Sequence, residues 1–319
     1  MSLATLNIYS DYAYGSMVET LNQQVELFNA ATQGAIVLTS GDNMGDFSYQ
    51  SNWERIPNLV INRDPYTDVP VAALDLTDNE KVTVKVASAT PPVNVPAHIF
   101  SWTKKQVQEG AMLYGQQLAE QKMQNDLNNV IGAGVVALQS TPGILHDATA
   151  GTLDLGALNT GASKFGDQAQ RLVTWVLHSK ALFDMYGNSI ANADRLFTFG
   201  NIKIASDGMG RPLIVTDSPD LHFDNAGTEN YHTLGLVPGA FTVEDNGDFN
   251  QNVDNSNGRT NIMSTIQSEW SSQFGIKGYS WDTATGGKAP TTAELKTAGN
   301  WDQYVSDDKS VAGVVVTSL

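Results

Sequence analysis

The chain has 319 residues with hydrophobic residues at 41% and aromatics at 8%, which is ordinary for a globular protein and excludes wholesale disorder. Its 34 Asp and Glu against 18 Lys and Arg give a net charge of −16, so nothing in the balance is built to grip phosphates. Cysteine is absent. That removes disulfide scaffolds, Cys-ligated zinc, iron–sulfur clusters and thiol nucleophiles together. No stretch approaches the roughly 20 apolar residues of a membrane span, and the first residues, Met1-Ser2-Leu3-Ala4, carry no basic or strongly apolar leader. The chain is therefore expected to be made and used in solution, in a cytoplasm, unless it is released by lysis.

From Asp11, the residues Met17, Leu21, Val25, Leu27 and Phe28 recur at helical spacing and predict a helix of four or five turns capped by Ser10 or Asp11, ending near Thr32-Gln33-Gly34. Ala35 to Leu38 reads as a strand, followed by the polar, Gly-containing loop Ser40 to Asp46. Residues 55–95 contain Pro57, Pro65, Pro70, Pro91 and Pro92, so no long helix forms there. Within them Lys81-Val82-Thr83-Val84-Lys85-Val86 alternates strictly. Val82, Val84 and Val86 share one face, and Lys81, Thr83 and Lys85 share a polar face expected to meet solvent.

The most regular segment follows. Val107, Ala111, Tyr114, Leu118, Leu127, Val130 and Ile131 fall mostly at intervals of three and four, with no proline between Pro96 and Pro142. A helix over 103–138, capped by Thr103, is expected, with Gly132 to Gly134 loosening its last turns. After Pro142-Gly143 the pattern shortens and alternates: Gln168 to Leu172 helical, Val173 to Leu177 extended, Lys180 to Tyr186 helical and Arg211 to Val215 extended. This is a compact α+β unit. Strands return at 233–237, 240–243, 265–270 and 274–281, around a polar loop from Asp245 to Asn261, and Ala312 to Thr317 closes the chain as another strand.

Catalytic and ligand-binding groupings are scarce. His98, His146, His178, His222 and His232 form no His-x-x-x-His pair, and His178-Ser179 lacks a nucleophile elbow. The acidic run from Glu244 to Gly258 departs from a calcium loop, with Val253 where glycine belongs and Arg259 where glutamate belongs. Gly132-Ala133-Gly134 is half of a dinucleotide fingerprint and follows a helix. The pairs Glu244-Asp245 and Asp307-Asp308 read as solvated edges. Catalytic residues, metal and cofactor are therefore all expected to be none.

Four strings, in order, carry a resemblance. Val25-Glu26-Leu27-Phe28-Asn29-Ala30-Ala31-Thr32-Gln33-Gly34-Ala35-Ile36, Thr174-Trp175-Val176-Leu177-His178-Ser179-Lys180 with Phe183-Asp184, Gly210-Arg211-Pro212-Leu213-Ile214-Val215-Thr216-Asp217-Ser218-Pro219, and Ala298-Gly299-Asn300-Trp301 with Lys309 to Val314 resemble segments of tailed-bacteriophage major capsid proteins with the HK97-type fold. The resemblance implies an N-terminal arm over 1–35, an extended loop over 36–95 and a peripheral domain from 96–164 and 246–290 around the long helix. It also implies an axial domain with a C-terminal return from 165–245 and 291–319.

It further implies a shell of hexamers and pentamers around packaged DNA in weak contact, with no membrane. A separate scaffolding protein, or none, is implied because the arm helix starts by Asp11, and a portal and a decoration protein are the other implied partners. The expected assembly interface is Val82, Val84 and Val86, with Lys81, Lys85, Leu27 and Phe28. Some relatives join a loop lysine to a neighbour's asparagine beside a glutamate; Asn261 and Glu269 are candidates here, but Lys81 and Lys85 read as solvent-side guards of a strand edge. Two rivals are an encapsulin-type shell that binds cargo peptides and a β-rich carbohydrate-active phage protein.

Overall fold

The computed structural model describes residues 3–54, 56, 59–95, 106–189, 196–199, 202–206, 210–256, 260 and 263–319. Helix α1 (Leu3–Ala31) begins earlier than the Asp11 cap predicts. Between Ser2 and Tyr14 there is neither proline nor glycine, so nothing halts the helix there, and Tyr9, Ala13 and Met17 at four-residue spacing are buried. It ends as expected: the Gly34 amide donates to the Asn29 carbonyl at 3.1 Å, with Gly34 at φ 71°. Strands β1 (Ile36–Ser40), β2 (Phe47–Trp53), β3 (Asp78–Ala89) and β4 (Val93–Val95) follow.

Helix α2 (Val107–Gln139) has 33 residues, about 50 Å at the α-helical rise. The Thr103 cap and His98 lie outside the described residues; Gln106, the extended residue preceding the first turn, offers no side-chain cap. Gly132 to Gly134 do not loosen the end of α2. They are helical and buried, because their lack of a side chain lets neighbours close in: a Cβ on Gly134 would stand 2.1 Å from the Phe241 ring. Val130 to Val135 are buried without interruption, so α2 loses its amphipathic pattern where it passes through the core.

The later elements are β5 (Leu145–Ala148), α3 (Leu155–Ser163), β6 (Thr174–Leu177), α4 (Ser179–Ser189), β7 (Leu196–Phe199), β8 (Ile202–Ser206), β9 (Pro212–Val215), β10 (His222–Asn225), β11 (Thr228–Leu236), β12 (Phe241–Asp245), β13 (Asn250–Ser256), β14 (Met263–Ile276), β15 (Tyr279–Trp281), α5 (Thr292–Leu295), β16 (Trp301–Gln303) and β17 (Gly313–Ser318). Gly166–Arg171, the helix expected at 168–172, is 3₁₀.

Two sheets organise the strands. The first runs β1-β12-β14-β15-β16, with β13, β3 and β4 also on β14 and β2 on β3. The second runs β5-β17-β11-β6-β9-β8-β7, with β10 on β11. The segment read as a polar loop, 245–261, instead contains β13, paired antiparallel to β14 from Asn250↔Glu269 to Ser256↔Met263. Backbone pairing needs no apolar side chains, and the alternation of exposed and half-buried residues along β13 is that of a strand with one wet face.

Sheet membership also departs from the domain boundaries read in the sequence. β5 joins β17 in the second sheet, whereas β12 and β16 join the first. The β5–β17 pairing crosses more than a hundred residues, whereas β12 and β16 pair with β14 and β15 close by in the chain, so chain order alone fixes neither sheet's membership.

Candidate assembly surface

The hairpin of β2 and β3 pairs from Phe47↔Val84 to Trp53↔Asp78. Past Val84, β3 leaves its hairpin partner and runs antiparallel along β14, from Val84↔Phe274 to Ala89↔Glu269. One strand thus does two jobs: its first half carries the hairpin outward and its second half is part of the first sheet.

This division decides where the predicted interface residues lie. Val82, Val84 and Val86 are 7%, 0% and 3% exposed within a single chain, in the main hydrophobic core with Leu38, Val135 and Phe274. The valine face expected to meet a neighbour is already covered by the chain's own fold. The polar face is partly covered as well, with Lys81 and Lys85 half-buried. Thr83 is buried, accepting from the Gln273 side chain at 2.5 Å. Desolvation holds the Lys81 ammonium below its usual value, opposed by Glu244, and Lys85 lies 3.5 Å from an Asp248 oxygen. Lys81 is therefore not a solvated guard at an edge; β14 and the loop before β13 close over that side.

The remaining candidates divide. Leu27 is 57% exposed, free to meet another surface, whereas Phe28 is half-buried against the main core. Of the residues named for subunit cross-linking, Asn261 lies outside the described residues, and Glu269 accepts from Asn250 at 2.9 Å, opposite Ala89 rather than a lysine.

Sequence reasoning missed the segment at the hairpin's end. Between Trp53 and Asp78, Leu59, Val60, Tyr66 and Val69 are exposed at 70%, 87%, 95% and 68%. Ile61, Val71, Leu74 and Leu76 are also exposed. None of these described residues belongs to a helix or strand, since Pro65 and Pro70 interrupt both periods. The signal was present: a dense apolar series with no period to bury it. So much exposed apolar surface makes the segment a candidate contact site.

The other functional candidates are structural. His178 accepts the Lys180 amide at 3.2 Å, satisfying a donor in the first turn of α4. His232 is buried, stacked on Phe223 and bonded to Gln139 and Thr317; burial pulls it down to about 4. In the acidic run, Asp245 pairs with Lys122 at 2.5 Å and Asp248 accepts from Ser271. No group of three or more His, Asp or Glu able to hold a metal occurs among the described residues, and no described helix is long and apolar enough to cross a membrane.

Comparison with known proteins fits this geometry. No curated protein matches the sequence. The capsid subunit of cyanophage Pam1 is similar in structure at a TM-score of 0.53 and 10% identity, over 89% of this chain and 88% of that one. The capsid of Helicobacter pylori bacteriophage KHP30 gives a TM-score of 0.51 at 8% identity, over 91% and 89%. The SrpI encapsulin of Synechococcus elongatus gives 0.49 at 12% identity, over 88% and 83%. The fold is the HK97-type capsid fold, as the resemblance implied. A family model for Gp13-like major capsid proteins matches residues 5–315, and the chain belongs to that family as a shell-forming, structural component of a bacteriophage virion.

Proposed function

We propose that this subunit builds an icosahedral shell of hexamers and pentamers around a double-stranded DNA genome in the host cytoplasm, with no catalytic step. The observation that carries the reading is the exposed apolar loop, residues 59–76, which the subunit leaves uncovered. Covering that much apolar surface with a neighbour releases free energy in proportion to the area, and repeated heterologous contacts that close into rings make shells from one sequence. On this reading the first sheet with α2 is the peripheral unit, the second sheet is the axial unit at the capsomer centre, and 36–95 is the loop that reaches outward. Leu27 joins the interface. Lys81, Lys85 and the valines of β3 support the loop from within.

The net charge of −16 suits a wall that holds packaged DNA weakly. Partners beyond the subunit itself are a scaffolding protein, a portal and a decoration protein. Light scattering and electron microscopy of the expressed chain test the reading. Capsomers or closed shells are expected, alone or with the scaffold added. A sharp 34.3 kDa monomer under every such condition would overturn it, and salt-resistant binding to duplex DNA would overturn the weak-contact wall.

A further inference from the structure

Beneath the arm lies a cavity of about 340 Å³, roofed by Met17, Leu21 and Val25 of α1 and floored by Lys122 and Asp126 of α2, with Asp245 of β12 at its side. Its roof is apolar, yet its floor holds a carboxyl that is 7% exposed. One Asp126 oxygen accepts from Ser272 at 3.0 Å; the other has no hydrogen-bond partner. The neighbouring cation favours its charged form without pairing with it. Lys122, one helical turn away, is 2.5 Å from Asp245 and lies over the Trp270 ring.

We propose that Asp126 is a proton-operated latch for the arm: protonated, it lets α1 lie closed over the cavity, and ionised, it favours a state in which α1 lifts and water reaches the carboxylate. The physical cause is the cost of a buried, half-satisfied carboxylate, which a neutral carboxyl avoids. Every charged or titratable group lining the cavity enters the balance: Tyr14 from α1, Lys122 from α2 and Asp245 from β12. Burial dominates and raises Asp126 to about 7, against the Ser272 hydrogen bond and the Lys122 charge, with a smaller repulsion from Asp245 on the side of burial.

With α1 lifted, Asp126 is solvated and regains an ordinary carboxylate value of about 4. Opening therefore becomes easier by about tenfold per pH unit between about 4 and about 7, and is flat above that. This device concerns the subunit's own arm and stands whether or not the shell reading does.

Hydrogen exchange of the purified full-length chain, read by mass spectrometry and corrected for the intrinsic pH dependence of exchange, tests it. Peptides from α1 are expected to show an opening constant that climbs through this window and levels off near pH 7, while peptides from β11 and β17 do not follow. Asp126→Asn should abolish the slope and hold α1 closed at all pH. Asp245→Asn frees Lys122 to compensate Asp126, so the levelling-off should move to lower pH. A flat wild-type profile, a slope retained in Asp126→Asn, an unmoved levelling-off in Asp245→Asn, or an equal rise in every peptide would overturn the proposal.

Discussion

The arm and the loop begin as the same kind of segment, an apolar stretch with no evident partner in the sequence, and finish differently. α1 repeats its apolar residues every fourth position, which makes one continuous stripe, and Tyr9, Ala13 and Met17 disappear against α2. The loop is as rich in apolar residues for its length but has no period to gather them on one face, and Tyr66 is left 95% exposed. A periodic segment can be satisfied by its own chain. An aperiodic one interrupted by proline is left uncovered by its own fold.

The strongest way to break this contrast is at the point where the loop enters the fold. Val84→Asp places a charge at a position with no exposure, and a loss of about 5 kcal/mol is expected. Denaturant unfolding or the soluble yield reads it, and the subunit should fail before assembly is reached. Replacing residues 59–76 by a short Gly-Ser linker should do the opposite. The subunit's melting temperature should move by only a few degrees while light scattering finds no shells; closed particles from that deletion would erase the distinction between arm and loop.

A third experiment separates the regions by pH. Burial lowers His232 from 6.5 to about 4, so the unfolded chain binds its proton first. The stability this residue contributes is complete above about pH 6.5 and is lost as pH falls towards 4, by about 3 kcal/mol at most. The second sheet should thus weaken in acid, and His232→Gln should flatten the dependence in urea titrations between these limits.

Smaller effects sharpen the arm's side of the comparison. A Cβ on Gly115 would stand 2.2 Å from the Ala13 carbonyl oxygen, so Gly115→Leu should wedge α1 from α2 at a cost of about 2 kcal/mol. Limited proteolysis should then cut within α1 and spare β14. The least change is expected from Leu27→Ala. At 57% exposure it should alter subunit stability by less than about 0.5 kcal/mol while raising the protein concentration needed for assembly.

Much of this was legible in the residues. The valine alternation in 81–86, the four-residue stripe of α1 and the proline-free run of α2 each report their element directly, because strand and helix periods are written in neighbouring positions. What could not be read was which faces meet.

Val82, Val84 and Val86 were placed correctly on one face and wrongly assigned to a neighbour, because alternation tells which residues share a face and not what covers it. β13 escaped notice because its polar side chains conceal a ladder that only Met263–Ile276 reveals. The interface candidates thus shift from the regular strand to the irregular loop beyond it.

By itself the sequence determined the strongly periodic elements α1, α2 and β3, the acidic balance, the lack of any thiol chemistry and, through four ordered strings, the fold. Only the tertiary structure decided that α1 lies on α2, that β3 divides itself between hairpin and sheet, and that Asp126 faces a cavity while Lys122 turns to Asp245. Local periods come from bonds between near neighbours along the chain, whereas burial is set by residues one or two hundred positions apart, and no short stretch of sequence records that distance.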